Sequence, residues 1–261
     1  MKKWWTIGGY AALLVAGVVL LSFVSRERAS EVCWRVDLSV DEAGPHRFVT
    51  RNMVLDRLVL TGDSLVGTRM DDIHIDHLQR ALRNMPHVRS AVVTKTLDGR
   101  IEAEVTPRIP VARILNPDGT GFYLDSDRRL MPLSKHYTAH VPLFVTARAF
   151  SAADTSALDP HTGRVLEGSP LDQVLSFAQA VEGHALMGPL TEHLYLDSVG
   201  HAVVIPRVGG YKIQLGDARN LDAKFDRLQT FLQHTVQSKD LNFYTEINLA
   251  YRDQVVCKRR W

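Results

Sequence analysis

Cysteine is nearly missing. Cys33 and Cys257 are the only two in 261 residues, and no Cys-x-x-Cys occurs. That excludes a zinc ribbon and a redox dithiol. A surplus of one charge is missing too. Lysine plus arginine is 31 against 29 aspartate plus glutamate, a net charge of +2. Such a balance removes the electrostatic case for nucleic acid or an acidic substrate. Repeats and low-complexity tracts are absent. No glycine-rich stretch has phosphate-loop spacing, and Pro206-Arg-Val-Gly-Gly210 reads as a turn. His74 and His77 lie at i, i+3, and His136 and His140 at i, i+4. Neither pair has a third ligand or a glutamate at metalloprotease spacing, so surface histidines are expected, with no metal and no cofactor.

One tetrapeptide does spell an enzyme. Gly62-Asp63-Ser64-Leu65 matches the nucleophile signature of a serine esterase family. A nucleophilic serine needs a base in hydrogen-bond reach and a carboxylate to orient that base. The esterases carry these as Asp-x-x-His near the C-terminus. Here that spacing occurs only at Asp71 to His74, just after the serine, with His77 following on the same stretch. No glycine and asparagine blocks for an oxyanion hole are recognisable. A turn explains each letter: Gly62 ends a helix, Asp63 and Ser64 turn the chain, Leu65 enters the core and Gly67 admits the next segment. No catalytic residue is expected.

What the chain does have is one long apolar run. Trp4 to Ser25 is uncharged. About 20 apolar residues in a helix span a bilayer core of roughly 30 Å. The run is longer than a cleavable signal's apolar region, and "SFVSRERAS" is a poor cleavage site. A retained signal anchor over 4–25 is expected, behind a cytoplasmic tail of residues 1–3 and ahead of a polar linker, 26–31. Lys2 and Lys3 favour a cytoplasmic N-terminus, with the rest exported. Export permits a disulfide. The two cysteines stand at opposite ends of the exported part, in different domains, so no bridge between them is expected.

Beyond the linker, "CWRVDLSV" alternates, with Trp34, Val36, Leu38 and Val40 on one face of a strand. "FVTRNMVLDRLVL" reads as a helix with Thr50 near its cap and Val54, Leu55 and Leu58 on one side. "DDIHIDHLQRALRNM" is a second helix, capped by Asp71 or Asp72, striped by Ile75, Leu78 and Leu82, and stopped by Pro86. "VRSAVVTKTLDGRIEAEVTPR" is a hairpin turning at Asp98-Gly99, with Ile101, Ala103 and Val105 against Ala91 and Val93. Residues 32–108 therefore form a small β-α-α-β-β domain, in which Leu78 and Leu82 face a sheet made by Val36, Val93 and Ile101.

The second domain, 109–261, reads as mostly antiparallel β with helices packed on it, which makes the fold α+β. Short strands open it, turning at Pro117-Asp118-Gly119 and Asp125-Ser126-Asp127. "SPLDQVLSFAQAVEG" is a helix with Ser169 as cap, Pro170 in the first turn and Leu171, Val174, Leu175 and Ala178 as its stripe. "EHLYLDSVGHAVVIPRVGGYKIQLGD" gives two or three strands. "NLDAKFDRLQTFLQHTV" is a helix with Leu221, Phe225, Leu228 and Leu232 inward. "LNFYTEINLAYRDQVVCKR" reads as one long closing strand, bent at Arg252-Asp253 if anywhere.

Three stretches carry a resemblance. "IDHLQRALRNMPHVRSAVVTKTLDGRIEAEVTPRIPVARI" looks like a POTRA domain running into its neighbour. "FYLDSDRRLMPLSKHYTAHVPLF" resembles the start of a β domain. "IPRVGGYKIQLGD", "KFDRLQTFL" and "INLAYRDQVVCKRR" resemble its last third. Together the chain resembles the FtsQ-type bacterial cell-division family, particularly its Bacteroidetes-like form. Arg128 departs from the pattern, since glycine is usual after "YLD". The short tail before Trp4 is a second departure.

The resemblance implies a non-enzymatic bitopic scaffold of the divisome. It would sit in the inner membrane at the septum, bulk in the periplasm, and recruit other membrane proteins. It further implies partners of the FtsB and FtsL type that meet the C-terminal β region, and it points to Tyr251, Gln254, Val255 and Val256. No small-molecule substrate or nucleic acid is implied. A general envelope POTRA adaptor or chaperone for exported peptides is the alternative.

Overall fold

The computed structural model describes residues 15–16, 32–41, 47–60, 65–151, 153–154, 156–237 and 243–260. The expected anchor over 4–25 lies outside these, apart from Val15 and Ala16, and so do Gly62, Asp63 and Ser64. Among the described residues no helix is long and apolar enough to cross a membrane. The chain divides into two units, Met1–Pro107 and Arg108–Trp261.

In the first unit the order is β1 (Arg35–Val40), α1 (Arg51–Leu60), α2 (Ile75–Arg83), β2 (Val88–Lys95) and β3 (Arg100–Pro107). The three strands lie in the order β1-β3-β2, with β1 parallel and β2 antiparallel to β3. The apolar alternation sets the register: Ala91 faces Val105 and Val93 faces Ala103. These four are buried together with Ile101, Val54, Leu58, Leu78 and Leu82. Each large aliphatic side chain withdrawn in this way contributes about 1.5–3 kcal/mol. Thr50 begins α1, its hydroxyl accepting from the Met53 amide at 3.4 Å. Gly99, at φ 81°, turns the hairpin.

Two local expectations change. Trp34 is 55% exposed rather than on the inner face. Its amide bonds the Gly99 carbonyl at 3.1 Å and its indole N–H the Asp98 carbonyl at 2.7 Å, which lays the ring over the hairpin turn. Helix α2 is not capped by Asp71 or Asp72. His74 occupies the cap position without a side-chain cap bond, and its Nδ1 meets the Asp72 carbonyl at 2.8 Å instead.

The second unit holds one mixed sheet. Its strands are β4 (Pro110–Leu115), β5 (Gly121–Asp125), β6 (Leu130–Pro132), β7 (Leu143–Thr146), β8 (Thr191–Leu196), β9 (Ala202–Pro206), β10 (Lys212–Gly216), β11 (Tyr244–Asn248) and β12 (Val256–Arg259). They lie in the order β12-β11-β10-β9-β8-β7-β4-β5-β6. Three neighbour pairs are parallel, β4–β7, β7–β8 and β10–β11, and the remainder are antiparallel.

A parallel pair cannot close through a tight turn. Helices α3 (Pro170–Gly183) and α4 (Met187–Leu190) therefore lie between β7 and β8, and α5 (Leu221–Gln237) between β10 and β11. Ser169 caps α3 by accepting from the Asp172 amide, with Pro170 in the first turn. The stripes of α3 (Leu171, Val174, Phe177, Ala178) and α5 (Leu221, Phe225, Leu228, Leu232) join Ile114, Phe144, Leu194, Val204, Ile213 and Ile247 in one core. Buried Asn116 fastens the β4–β5 turn. Its Nδ2 donates to the Thr120 hydroxyl at 2.9 Å and the Phe150 carbonyl at 2.8 Å, and its Oδ1 accepts from the Phe150 amide at 3.0 Å.

Candidate partner-binding edge

The closing segment is a hairpin, not one bent strand. Strands β11 and β12 pair antiparallel, Asn248 facing Val256, Ile247 facing Cys257 and Glu246 facing Lys258. The reversal falls at Tyr251-Arg252-Asp253, where Asp253 takes φ 58°. Asp and Asn tolerate that left-handed conformation better than other non-glycine residues. The turn is anchored at its start. The Leu249 amide donates to the Gln214 carbonyl at 2.9 Å, the Ala250 amide to Asn248 Oδ1 at 2.9 Å, and Arg227 Nη2 to the Leu249 carbonyl at 3.2 Å. Buried Ile247 and Leu249 hold β11 onto the core.

This hairpin places the four expected partner-binding residues at the sheet's rim. Tyr251 is exposed at the turn, Gln254 is exposed, and Val256 opens β12 with an exposed side chain. Val255 differs: it is half-buried and packs against the core. The surrounding charge is largely positive. Arg252 and Asp253 lie 3.4 Å apart, and Lys212 meets Glu246 at 3.4 Å. Lys258 and Arg259 form no ion pair among the described residues and are exposed. At the end of the hairpin the Arg260 amide bonds the Phe243 carbonyl at 2.6 Å, and its Nη2 reaches the Gly210 carbonyl at 3.1 Å. Spacing alone had not singled out Lys258 and Arg259; the signal was the basic run Lys258-Arg259-Arg260 after an alternating strand.

Sheet edges present unpaired main-chain groups that other chains can use. The two sheets have four edges, and three carry their own cover. On β1, Arg51 Nη1 donates to the Leu38 carbonyl at 3.3 Å. The segment 67–69 bonds the chain just before β1, through Cys33 N to the Thr68 carbonyl at 2.8 Å and Gly67 N to the Cys33 carbonyl at 2.7 Å. Beside β6, Arg129 bridges Arg164, and the Val165 amide donates to the Arg128 carbonyl at 2.8 Å. On β2, Gln79 and Arg83 bond the main chain. Among the described residues, the one side-chain bond to the main chain of β12 comes from Thr245, on its partner strand β11. Among the described residues nothing covers the outer side of β12.

Elsewhere the chemistry is sparse. A surface cleft of about 260 Å³ is lined by Val141, Leu143, Val181, Glu182, Thr191 and Arg207, among others. The Thr191 hydroxyl is buried without a hydrogen-bond partner, and the Arg207 Nε donates to the Thr191 carbonyl at 3.0 Å. Among the described residues no group of three or more His, Cys, Asp or Glu side chains could hold a metal. Both cysteines are free, and burial raises each thiol above its ordinary value, so neither is poised as a thiolate.

No curated protein matches the chain. Residues 31–106 match a model for a POTRA-like domain. Residues 109–258, more than half of the chain, match the family described as FtsQ/DivIB, C-terminal related. A POTRA-like unit of two helices on a three-stranded sheet, followed by the family's large β unit over nearly all its length, makes this chain a member of the FtsQ/DivIB-type family of cell-division proteins.

Proposed function

We propose that this protein is a non-enzymatic bitopic scaffold of the division machinery, which recruits other membrane proteins by adding a strand of theirs to β12. The uncovered edge of β12 carries this reading. Strand addition draws affinity from main-chain bonds and specificity from side chains in alternate positions. Tyr251 supplies an exposed aromatic anchor at one end of the edge and Val256 an apolar contact beside it. Lys258 and Arg259 favour a strand with carboxylates. The fitting partner is a short bitopic protein of the FtsB type, acting with one of the FtsL type. The apolar run Trp4 to Ser25 would hold the scaffold in the inner membrane at the septum with both units periplasmic. The reading as a general envelope adaptor requires the POTRA-like sheet to be the accepting edge, and there both edges are covered.

Pull-down of the FtsB-type partner by the full chain tests this, with circular dichroism as the folding control. Cys257→Pro removes an N–H from the outer side of β12 and is expected to abolish capture. Tyr251→Ala is expected to weaken it by about tenfold or more, the loss of an aromatic hot spot. Folded variants that capture the partner at parental affinity refute the β12 reading. A mid-cell band of a fluorescent fusion is expected; a uniform envelope signal favours the general adaptor.

A further inference from the structure

Charges of both signs line the cleft of about 260 Å³ in the second unit, and they do not meet one another. The cleft lies between the end of α3, the entry to β7, the start of β8 and the end of β9. Glu182 and Glu192 line it and form no ion pair or hydrogen bond among the described residues. Arg207 spends its Nε on the Thr191 carbonyl at 3.0 Å, and neither of its Nη groups has a partner among the described residues.

Local structure builds this arrangement. The β8–β9 register shifts between Thr191 and His193, so Glu192 is an extra residue with no partner of its own in β9. Such a bulge re-aims side chains, and bulges gather beside functional sites. Thr191 pairs with Pro206, two residues from buried Val204, which turns its side chain to the face that carries α3. Thr191 is only 5% exposed there, and its hydroxyl has no partner. A buried hydroxyl left so is destabilising until an acceptor reaches it. Helix α3 ends at the same cleft, with no basic residue in its last turn to offset the partial negative charge of its C-terminus.

We propose that this cleft binds a small zwitterion of the aliphatic amino-acid class. A ligand of one sign would suit one set of these groups and be repelled by the other. A zwitterion serves both. Its ammonium goes to Glu182, Glu192 and the end of α3. Its carboxylate goes to the free Nη pair of Arg207, whose planar fork matches it, and to the Thr191 hydroxyl. Val141, Leu143 and Val181 supply an apolar wall for the aliphatic side chain. The volume falls just below the roughly 300–1,000 Å³ of pockets for drug-sized ligands, which fits a ligand the size of one amino acid. This inference rests neither on the family nor on the reading of β12.

Saturation-transfer NMR on the full chain in detergent tests it, with detergent alone as the blank. Three probes are titrated: leucine, N-acetyl-leucine, which lacks the ammonium, and leucinamide, which lacks the carboxylate. The parent is expected to bind leucine about tenfold more tightly than either of the others, each having lost a charge-assisted contact. Arg207→Gln is expected to erase the preference over leucinamide and keep the preference over N-acetyl-leucine. Glu182→Gln with Glu192→Gln is expected to do the reverse. All three charged side chains are exposed, so these variants keep the fold. Thr191→Val is expected to weaken leucine several-fold while raising the melting temperature, because an unpaired hydroxyl is removed. The absence of a saturable leucine signal overturns the proposal, as does equal binding of the three probes. So do charge variants that fail to separate the two preferences, or a Thr191→Val variant that binds leucine at parental affinity.

Discussion

At the residue scale the most telling position is Arg128. It takes φ 65°, a conformation that costs a non-glycine residue about 1 kcal/mol. In return its Nη2 meets Asp172 Oδ1 at 2.6 Å, joining the β5–β6 turn to the first turn of α3. Two substitutions separate these effects. Arg128→Ala keeps the strain and loses the ion pair, so about 1 kcal/mol of destabilisation is expected. Arg128→Gly loses the pair but relieves the strain, so near-neutrality is expected. Urea titration reads the difference, and identical midpoints for the two variants would contradict it.

Asp217 offers a second residue-scale reading. Burial pushes its carboxyl up, but hydrogen bonds from Arg219 and Lys224 outweigh this and bring it down to about 2, below its ordinary 3.8. Lys224 Nζ is buried, 2.7 Å from the Asp217 carbonyl and 3.1 Å from Oδ1. A carboxylate depressed by folding stabilises fully above its unfolded value and loses that contribution as pH falls through the folded value. The window therefore runs from about pH 4 down to pH 2, with about 1–2 kcal/mol at stake after solvent screening. Asp217→Asn is expected to lower stability at pH 7 and to flatten the dependence over that window. A variant with the parental acid slope would remove Asp217 from the account.

At the element scale, Leu82 tests the assignment of α2. It is fully buried against the three-stranded sheet, and Leu82→Ala is expected to cost about 2–5 kcal/mol. An unchanged melting curve would contradict that packing. Helices were legible where a stripe ran the length of the element, as with Leu171, Val174 and Ala178 or Phe225, Leu228 and Leu232. The β2–β3 hairpin was legible because Asp98-Gly99 names its turn. The β11–β12 hairpin was not, because its reversal uses Asp253 in place of glycine and apolar residues continue on both sides of it. The strand order was hidden for a different reason. Pairings such as β4 with β7 join segments far apart in sequence, and local alternation says nothing about neighbours. The same holds for Gln79 and Arg83: helical spacing shows that they share a face, but not that the face meets a strand edge.

At the scale of the whole molecule, a net charge of +2 provides little long-range attraction, so steering must come from local clusters. The hairpin at the end of the large sheet is one. Arg252, Lys258, Arg259 and Arg260 crowd it against Asp253, and Glu246 beside Lys258 is already engaged by Lys212. If an acidic strand docks on β12, these charges should act mainly before contact, and the main-chain bonds after it. Lys258→Gln with Arg259→Gln is therefore expected to slow association of the FtsB-type partner by several-fold at low salt, with little change in dissociation. The choice of glutamine avoids setting a second carboxylate opposite Glu246. Near 1 M salt the screening length falls to about 3 Å, and the parental and variant association rates should converge. Cys257→Pro, whose N–H faces outward from β12, should behave in the opposite way, raising the dissociation rate at every salt concentration, because a main-chain donor is lost whatever the screening. A stopped-flow series over salt separates the two. If the double glutamine variant changes only dissociation, the basic cluster is a contact rather than a guide, and the acidic character assigned to the partner strand loses its kinetic support.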